Sequence, residues 1–252
     1  MTVCQLFETL QTKFREILEE HGLADTEIQI RARGLTPEEA IGHTERKDFP
    51  ILTGRETMLM AEFRGAAGLA FTDAPAQFSG TVGEILAMDL VNDAHARGLF
   101  IASLNAVMRY LGLSENSVHC KNRGPELCAG HRVEWVKRQY GQPKIAQVGF
   151  QPALLEALSG EFEVQVLDLN PENIGKVKHG CPVCDGALQR GAVVDWADLV
   201  LCTGSTLSNG TLVEYLGLEK PVVFFGTTLS GAAPLLGLQR ACFADETFRE
   251  QA

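Results

Sequence analysis

Past the turn signal Gly141-Gln142-Pro143 the chain changes texture: four short, nearly unbroken apolar runs, at residues 144–150, 162–169, 198–203 and 221–226, alternate with helical patterns. A strand covered by helices on both faces has no wet side, so it reads as a continuous run and not as an alternation of apolar and polar residues. Residues 142–252 are therefore expected to form an α/β domain built on a mostly parallel sheet. Helices are expected at 152–158, where Pro152 suits the first turn, and at 211–216.

The half before that turn is organised differently. Leu6, Phe7, Leu10, Phe14, Ile17 and Leu18 recur at three- and four-residue steps and His21-Gly22 closes the stretch, which predicts an opening helix over 4–20. Residues 27–32 and 57–64 alternate as half-buried strands do, followed by Gly65 and Gly68. A second helical stretch runs from Leu90 to a stop at Gly112, and 114–130, with Gly124-Pro125 and no clear period, reads as a loop carrying site potential. Residues 1–141 are thus expected to form an α+β domain.

Charge and length exclude several functions. With 32 acidic against 22 basic side chains the formal charge is -10, and neither half carries a basic patch, so a phosphate backbone is not an expected partner. The longest apolar stretches fall far short of the ~20 residues needed to cross a bilayer. The N-terminus lacks the basic start and apolar middle of a signal peptide, which points to a cytoplasmic location. A homo-oligomer is compatible with this composition. Seven cysteines in 252 residues are too sparse for a disulfide scaffold, which leaves free thiols or metal ligands.

Two sets of residues could carry chemistry. The first is a pair of soft-donor clusters, His119-Cys120 with Cys128 and His131, and His179 with Cys181-Pro182-Val183-Cys184. Thiolate and imidazole suit zinc, copper or iron, or an iron–sulfur cluster, and a Cys-x-x-Cys pair lets two sulfurs reach one ion from a single turn. About fifty residues separate the clusters, so a shared site requires the fold to join them. A thioredoxin-like couple is the competing reading of Cys181 and Cys184, although Asp185-Gly186 signals a turn and not the helix start that would activate a thiol. Cys4, Cys202 and Cys242 sit inside helix or strand patterns and read as small apolar residues.

The second set is the loop 203–211, with Thr203, Gly204, Ser205, Thr206, Asn209 and Thr211, placed directly after an expected strand. Freed backbone amides, hydroxyls and a following helix would suit phosphate, carboxylate or a nucleotide-like ligand, and ligands of open parallel sheets bind beyond the strands' carboxyl ends. Gly226 and Thr227 open a parallel case after the fourth run. Against this, Asn209 or Thr211 can simply cap a helix. Gly149 ends the first run and Asp168 follows nineteen residues later, where dinucleotide folds place the acid that reads a ribose, but Gly149-Phe150-Gln151-Pro152 is not Gly-x-Gly-x-x-Gly. No Ser-His-Asp or Cys-His arrangement has a spacing that defines a catalytic residue.

The segment Gly98-Leu99-Phe100-Ile101-Ala102-Ser103-Leu104-Asn105-Ala106, the run from Trp196-Ala197-Asp198 to Asn209-Gly210-Thr211 and the later 221–226 resemble the putative heavy-metal chelation family. That resemblance implies an N-terminal domain like that of enolase, a Rossmann-like second domain and a site in the cleft between them, lined by Asn105 and the 203–211 loop. Two functions follow as expectations. One is metal handling by the Cys and His clusters near that cleft. The other is an enzyme or binding protein for a small anionic or nucleotide-like ligand.

Overall fold

The computed structural model describes residues 1–23, 30–53 and 57–251. Its N-terminal part contains α1 (Val3–Glu20), β1 (Ile30–Gly34), α2 (Pro37–Ile41), β2 (Thr57–Phe63), β3 (Ala66–Thr72), β4 (Phe78–Gly80), α3 (Val82–Leu86) and α4 (Ala94–Tyr110). The strands make one antiparallel sheet in the order β3-β2-β1-β4. Then follow α5 (Gly124–Tyr140), β5 (Ile145–Val148), α6 (Pro152–Ser159), β6 (Val164–Asp168), β7 (Val177–Lys178), β8 (Cys181–Asp185), α7 (Arg190–Trp196), β9 (Leu199–Thr203), α8 (Ser205–Ser208), β10 (Val222–Phe225), α9 (Ala232–Leu236) and α10 (Ala244–Glu250). Strands β10-β9-β5-β6-β8 run parallel, and β7 closes the edge antiparallel to β8. The fold is thus mixed α/β with two sheets, one of them mostly parallel. Among the described residues no helix is long and apolar enough to cross a membrane.

Local chemistry explains the ends of the main helices. Thr2 caps α1 in a capping box with Gln5, and Asp93 caps α4 through His95 and Ala96 backbone amides. Pro125 occupies the first turn of α5, where its missing N–H costs nothing, so the dipeptide that suggested a loop starts a helix instead. The expected strand at 57–64 is β2. Of the one at 27–32, residues 30–32 begin β1 and 27–29 lie outside the described residues.

Each parallel strand sends alternate residues to opposite faces. Ile145, Val166, Leu201 and Val223 pack beneath α5 and α6, while Ala146, Leu167, Val200 and Phe224 face a core that continues through α1 and α4 to the antiparallel sheet. Helix α4 lies against β2 and β3, where Gly68 permits the contact: a Cβ there would sit 2.2 Å from Ala106 N and 2.5 Å from Ala102 O. The two sheets therefore share one continuous core.

Candidate functional site

Strands β6 and β9 flank β5 on opposite sides, so the chain leaving β5 and the chain leaving β9 diverge and open a crevice at the carboxyl edge of the sheet. Gly149 makes the turn after β5 with φ +84, and a Cβ there would meet Thr203 Cγ2 at 2.6 Å. The antiparallel sheet stands opposite: Phe71 N donates to Thr228 Oγ1 at 2.9 Å, fastening β3 to the loop after β10. Between these walls lies a cavity of about 540 Å³, lined by strand-end loops, by Met58 and Phe71 from the other sheet, and by residues around α5.

Ten of the eleven expected ligand residues line it: Gly149, Asp168, Thr203, Gly204, Ser205, Thr206, Asn209, Thr211, Gly226 and Thr227. Several are also occupied locally. Asp168 Oδ2 accepts from Phe150 N at 2.9 Å and Oδ1 from Asn170 N at 2.6 Å, so this carboxylate fastens the loop after β5. Thr203 Oγ1 accepts from Ser205 N, and Thr206 Oγ1 donates to Thr203 O. Asn209 Oδ1 accepts from Thr211 N and from Thr211 Oγ1 in a local cap. The helix expected after the loop, at 211–216, is a 3-10 turn of 5 residues, Thr211–Tyr215, and the loop itself holds the 4-residue α8, so neither offers an appreciable dipole.

The eleventh, Asn105, does not line the cavity. It is fully buried on α4, where Nδ2 donates to Leu69 O at 2.8 Å and Thr228 O at 2.9 Å, and Oδ1 accepts from Gly231 N at 2.6 Å. Its amide ties α4, β3 and the loop after β10 together, and its contribution to the cavity is to hold that wall in place.

The seven expected metal donors separate. His119, Cys120 and Cys128 line the cavity, and Cys242, which read as a small apolar residue, joins them there. His131 instead faces Glu250 in an ion pair of 2.8 Å. Cys181 and Cys184 lie three apart on β8, and a period of two sends them to opposite faces: Cys181 packs beneath α5 and α6, Cys184 against the core toward α4. One ion cannot bridge them in this conformation, nor is their disulfide compatible with the strand. His179 sits in the β7–β8 turn at φ +48, its charge felt by Asp48 and Glu156 and not by the thiols. Among the described residues, no group of three or more His, Cys, Asp or Glu side chains is arranged to hold a metal ion.

Electrostatics at this wall are unusual. Hydrogen bonding to Cys120, with burial adding to it, pushes the Cys128 thiol up, and hydrogen bonding to Cys128 together with burial pushes Cys242 well up, so both are neutral thiols at pH 7. Burial lowers His119, whose Nδ1–H donates to Cys120 O at 2.7 Å and leaves Nε2 as a bare acceptor. Of two further cavity-lining groups, Ser208 falls within the expected 203–211 loop, whereas Arg132 gave no signal as a site residue. Ser208, nine-tenths buried, has an Oγ with no hydrogen-bond partner, and Arg132 is 4% exposed. Arg132 could have been noticed as a cation on the inner face of a helix, but it lies just past the 114–130 stretch read as a loop, where no helix was expected.

Residues 135–238 match the model of the DUF364 family, described as putative heavy-metal chelation. The resemblance read from the sequence holds over those residues. The match takes in Gly149, Asp168, the 203–211 loop, Gly226 and the 179–184 segment, and leaves out Asn105, His119, Cys120, Cys128, Arg132 and Cys242. In fold the chain is similar to a DUF364 protein of unknown function from Pyrococcus horikoshii, at 16% identity and a TM-score of 0.51, covering 88% of this chain and 79% of that one. A DUF364 protein of unknown function from Desulfitobacterium hafniense DCB-2 aligns at 15% identity and a TM-score of 0.46 over 71% of this chain and 72% of that one. No functionally curated protein matches the chain.

Proposed function

We propose that this protein binds a small organic ligand in the cleft between the carboxyl edge of its parallel sheet and its antiparallel sheet. The observation that carries the reading is the 540 Å³ cavity at the carboxyl ends of β5 and β9, bordered by the packed pair Gly149 and Thr203 and closed on its far side by Phe71 and Met58. That volume lies in the range of small-molecule and cofactor sites, and a strand-order reversal is where open parallel sheets bind their ligands. In this reading 142–252 is a Rossmann-like domain and 1–141 an enolase-N-terminal-like one, with the ligand between them inside the cytoplasm. A nucleotide-like body fits the apolar walls better than it fits the 203–211 hydroxyls, most of which are already engaged.

The test is a thermal-shift panel of nucleotides, S-adenosylmethionine and phosphorylated or carboxylated metabolites on the full chain. A ligand at a hundred times its Kd stabilises by about 2.7 kcal/mol, so a rise of several degrees is expected for some member, and Gly149→Val should abolish it. No rise with any of them would end the proposal.

A second reading, soft-metal handling, is supported by the pooling of Cys120, Cys128 and Cys242 at the same wall and by the description of the matching family. The donors fit a soft ion bound by two thiols better than tetrahedral zinc, which needs four ligands around one point. Metal analysis of anaerobically purified protein, repeated on Cys128→Ser, tests it. Metal that is absent, or present equally in the variant, refutes it.

A further inference from the structure

Helix α5 buries a positive charge that nothing in the fold answers. Arg132 lines the cavity at 4% exposure, with its guanidinium 5.0 Å from the centre of the Phe225 ring. Nε and Nη2 donate to one carbonyl, Ala241 O, at 3.2 and 2.8 Å, and Nη2 makes a weak 3.7 Å contact to Cys128 Sγ. Among the described residues no hydrogen bond is made by Nη1, and no carboxylate comes within ion-pair distance of the group. A guanidinium cannot shed its proton, and an unpaired buried ion costs several kcal/mol.

The surroundings deepen the imbalance. Arg240, outside the cavity lining, spends its donors on the carbonyls of Gly226, Glu115 and Asn116; burial lowers it, the Arg132 charge adds to that, and Asp245 opposes it. Of the acids on the adjoining elements, Asp245 pairs with Arg109 and accepts from Asn116 N, Glu250 pairs with His131, and Glu126 and Glu246 each keep a buried Oε2 without a hydrogen-bond partner, none of them forming an ion pair with Arg132 among the described residues. Cys128 and Cys242 are neutral thiols and bring no negative charge. Arg132 is therefore a cavity-lining cation with no carboxylate partner among the described residues; the acids that line the cavity, Asp73, Asp168 and Glu214, come from other elements, and Phe225, Phe71 and Met58 supply apolar surface.

We infer that Arg132 is the anchor for an acidic group on the ligand: the cleft takes a small organic oxyanion, a carboxylate or phosphate on a largely apolar body, with its oxygens on the free Nη1 side of the guanidinium. A planar fork of donors suits either oxyanion, and Phe225 beneath it fixes the plane. This rests on the cleft being the ligand site. It adds the charge of the ligand and the residue that selects it.

Matched probes on the full chain test it by calorimetry: benzoate against benzamide, and adenosine monophosphate against adenosine, with inorganic phosphate alone. At least one acid should bind ten-fold or more tightly than its neutral counterpart, and the benzoate and phosphate arms tell which oxyanion is preferred. Arg132→Met should remove that preference while Arg132→Lys keeps part of it. Equal binding of acid and neutral probes, or a preference unchanged in Arg132→Met, overturns the inference and leaves the cleft reading standing. Binding by none of them, with no rise in the wider panel, sinks both.

Discussion

Replacing Asn105 by leucine is the sharpest test of how the cavity wall is held. The two side chains branch alike at Cγ, but the methyls are bulkier than the amide atoms and would stand where those atoms now lie 2.6–2.9 Å from the backbone, so crowding adds to the loss of the amide. Three buried backbone groups lose their partner: Leu69 O, Thr228 O and Gly231 N, bonded at 2.8, 2.9 and 2.6 Å. A buried polar group left unsatisfied costs about 1–3 kcal/mol, so the summed loss should be at least about 3 kcal/mol out of the 5–15 kcal/mol typical of a folded domain. Urea denaturation followed by circular dichroism reads this as a lower midpoint with an unchanged slope. Ser103 supplies the control on the same helix. It too is fully buried, but its Oγ has no partner, so Ser103→Ala removes a desolvated hydroxyl and should be neutral or slightly stabilising. If Asn105→Leu cost less than about 1 kcal/mol, or no more than Ser103→Ala, the account of Asn105 as the tie between α4, β3 and the loop after β10 would be wrong.

Other outcomes follow from the same structure. Gly68→Ala should destabilise strongly, by roughly 3 kcal/mol or more, because its Cβ meets the backbone of α4 on both sides and neither can yield as a side chain would; a melting scan decides it. Cys181→Ser and Cys184→Ser should leave any binding of thiophilic metal unchanged, whereas Cys128→Ser should weaken it, as metal titration of each variant would show. Hydrogen bonding to Arg46 lowers the Glu156 carboxyl, and the same guanidinium outweighs burial at Asp48. Both acids are depressed in the folded state, so their contribution is present above the unfolded value of about 4 and is lost as pH falls from there through the lower folded values. The loss should be shallow, since exposed pairs are worth at most about 1 kcal/mol, and Arg46→Met should flatten the pH–stability curve between about pH 5 and 3.

Strands buried on both faces announce themselves by unbroken apolar runs, which is why β5, β6, β9 and β10 were legible. Strand β3, Ala-Ala-Gly-Leu-Ala-Phe-Thr, was not, because its small residues exist to admit α4 and so carry little apolar weight. Strand β8 was hidden by Pro182 and the glycines at 180 and 186, and missing it produced the error over the Cys-x-x-Cys pair. The spacing that brings two sulfurs together on a turn parts them on a strand. The rim of the cavity could be read because its loops follow legible strands. Its far wall could not: Cys242 is brought to Cys128 by the chain's return after β10, and Arg132 matters only through the counter-ion it lacks.

The ties around the cavity differ in kind. Loops after β5 and β10 are stitched by backbone and buried amide bonds, whereas residues 44–49 are held largely through side chains. That segment is clasped by Arg46 to Asp48 and Glu156 and by the seating of Phe49 and Ile51 on Ala153. The acidity and salt content of the medium should therefore loosen that clasp and leave the firmly sewn opposite wall untouched.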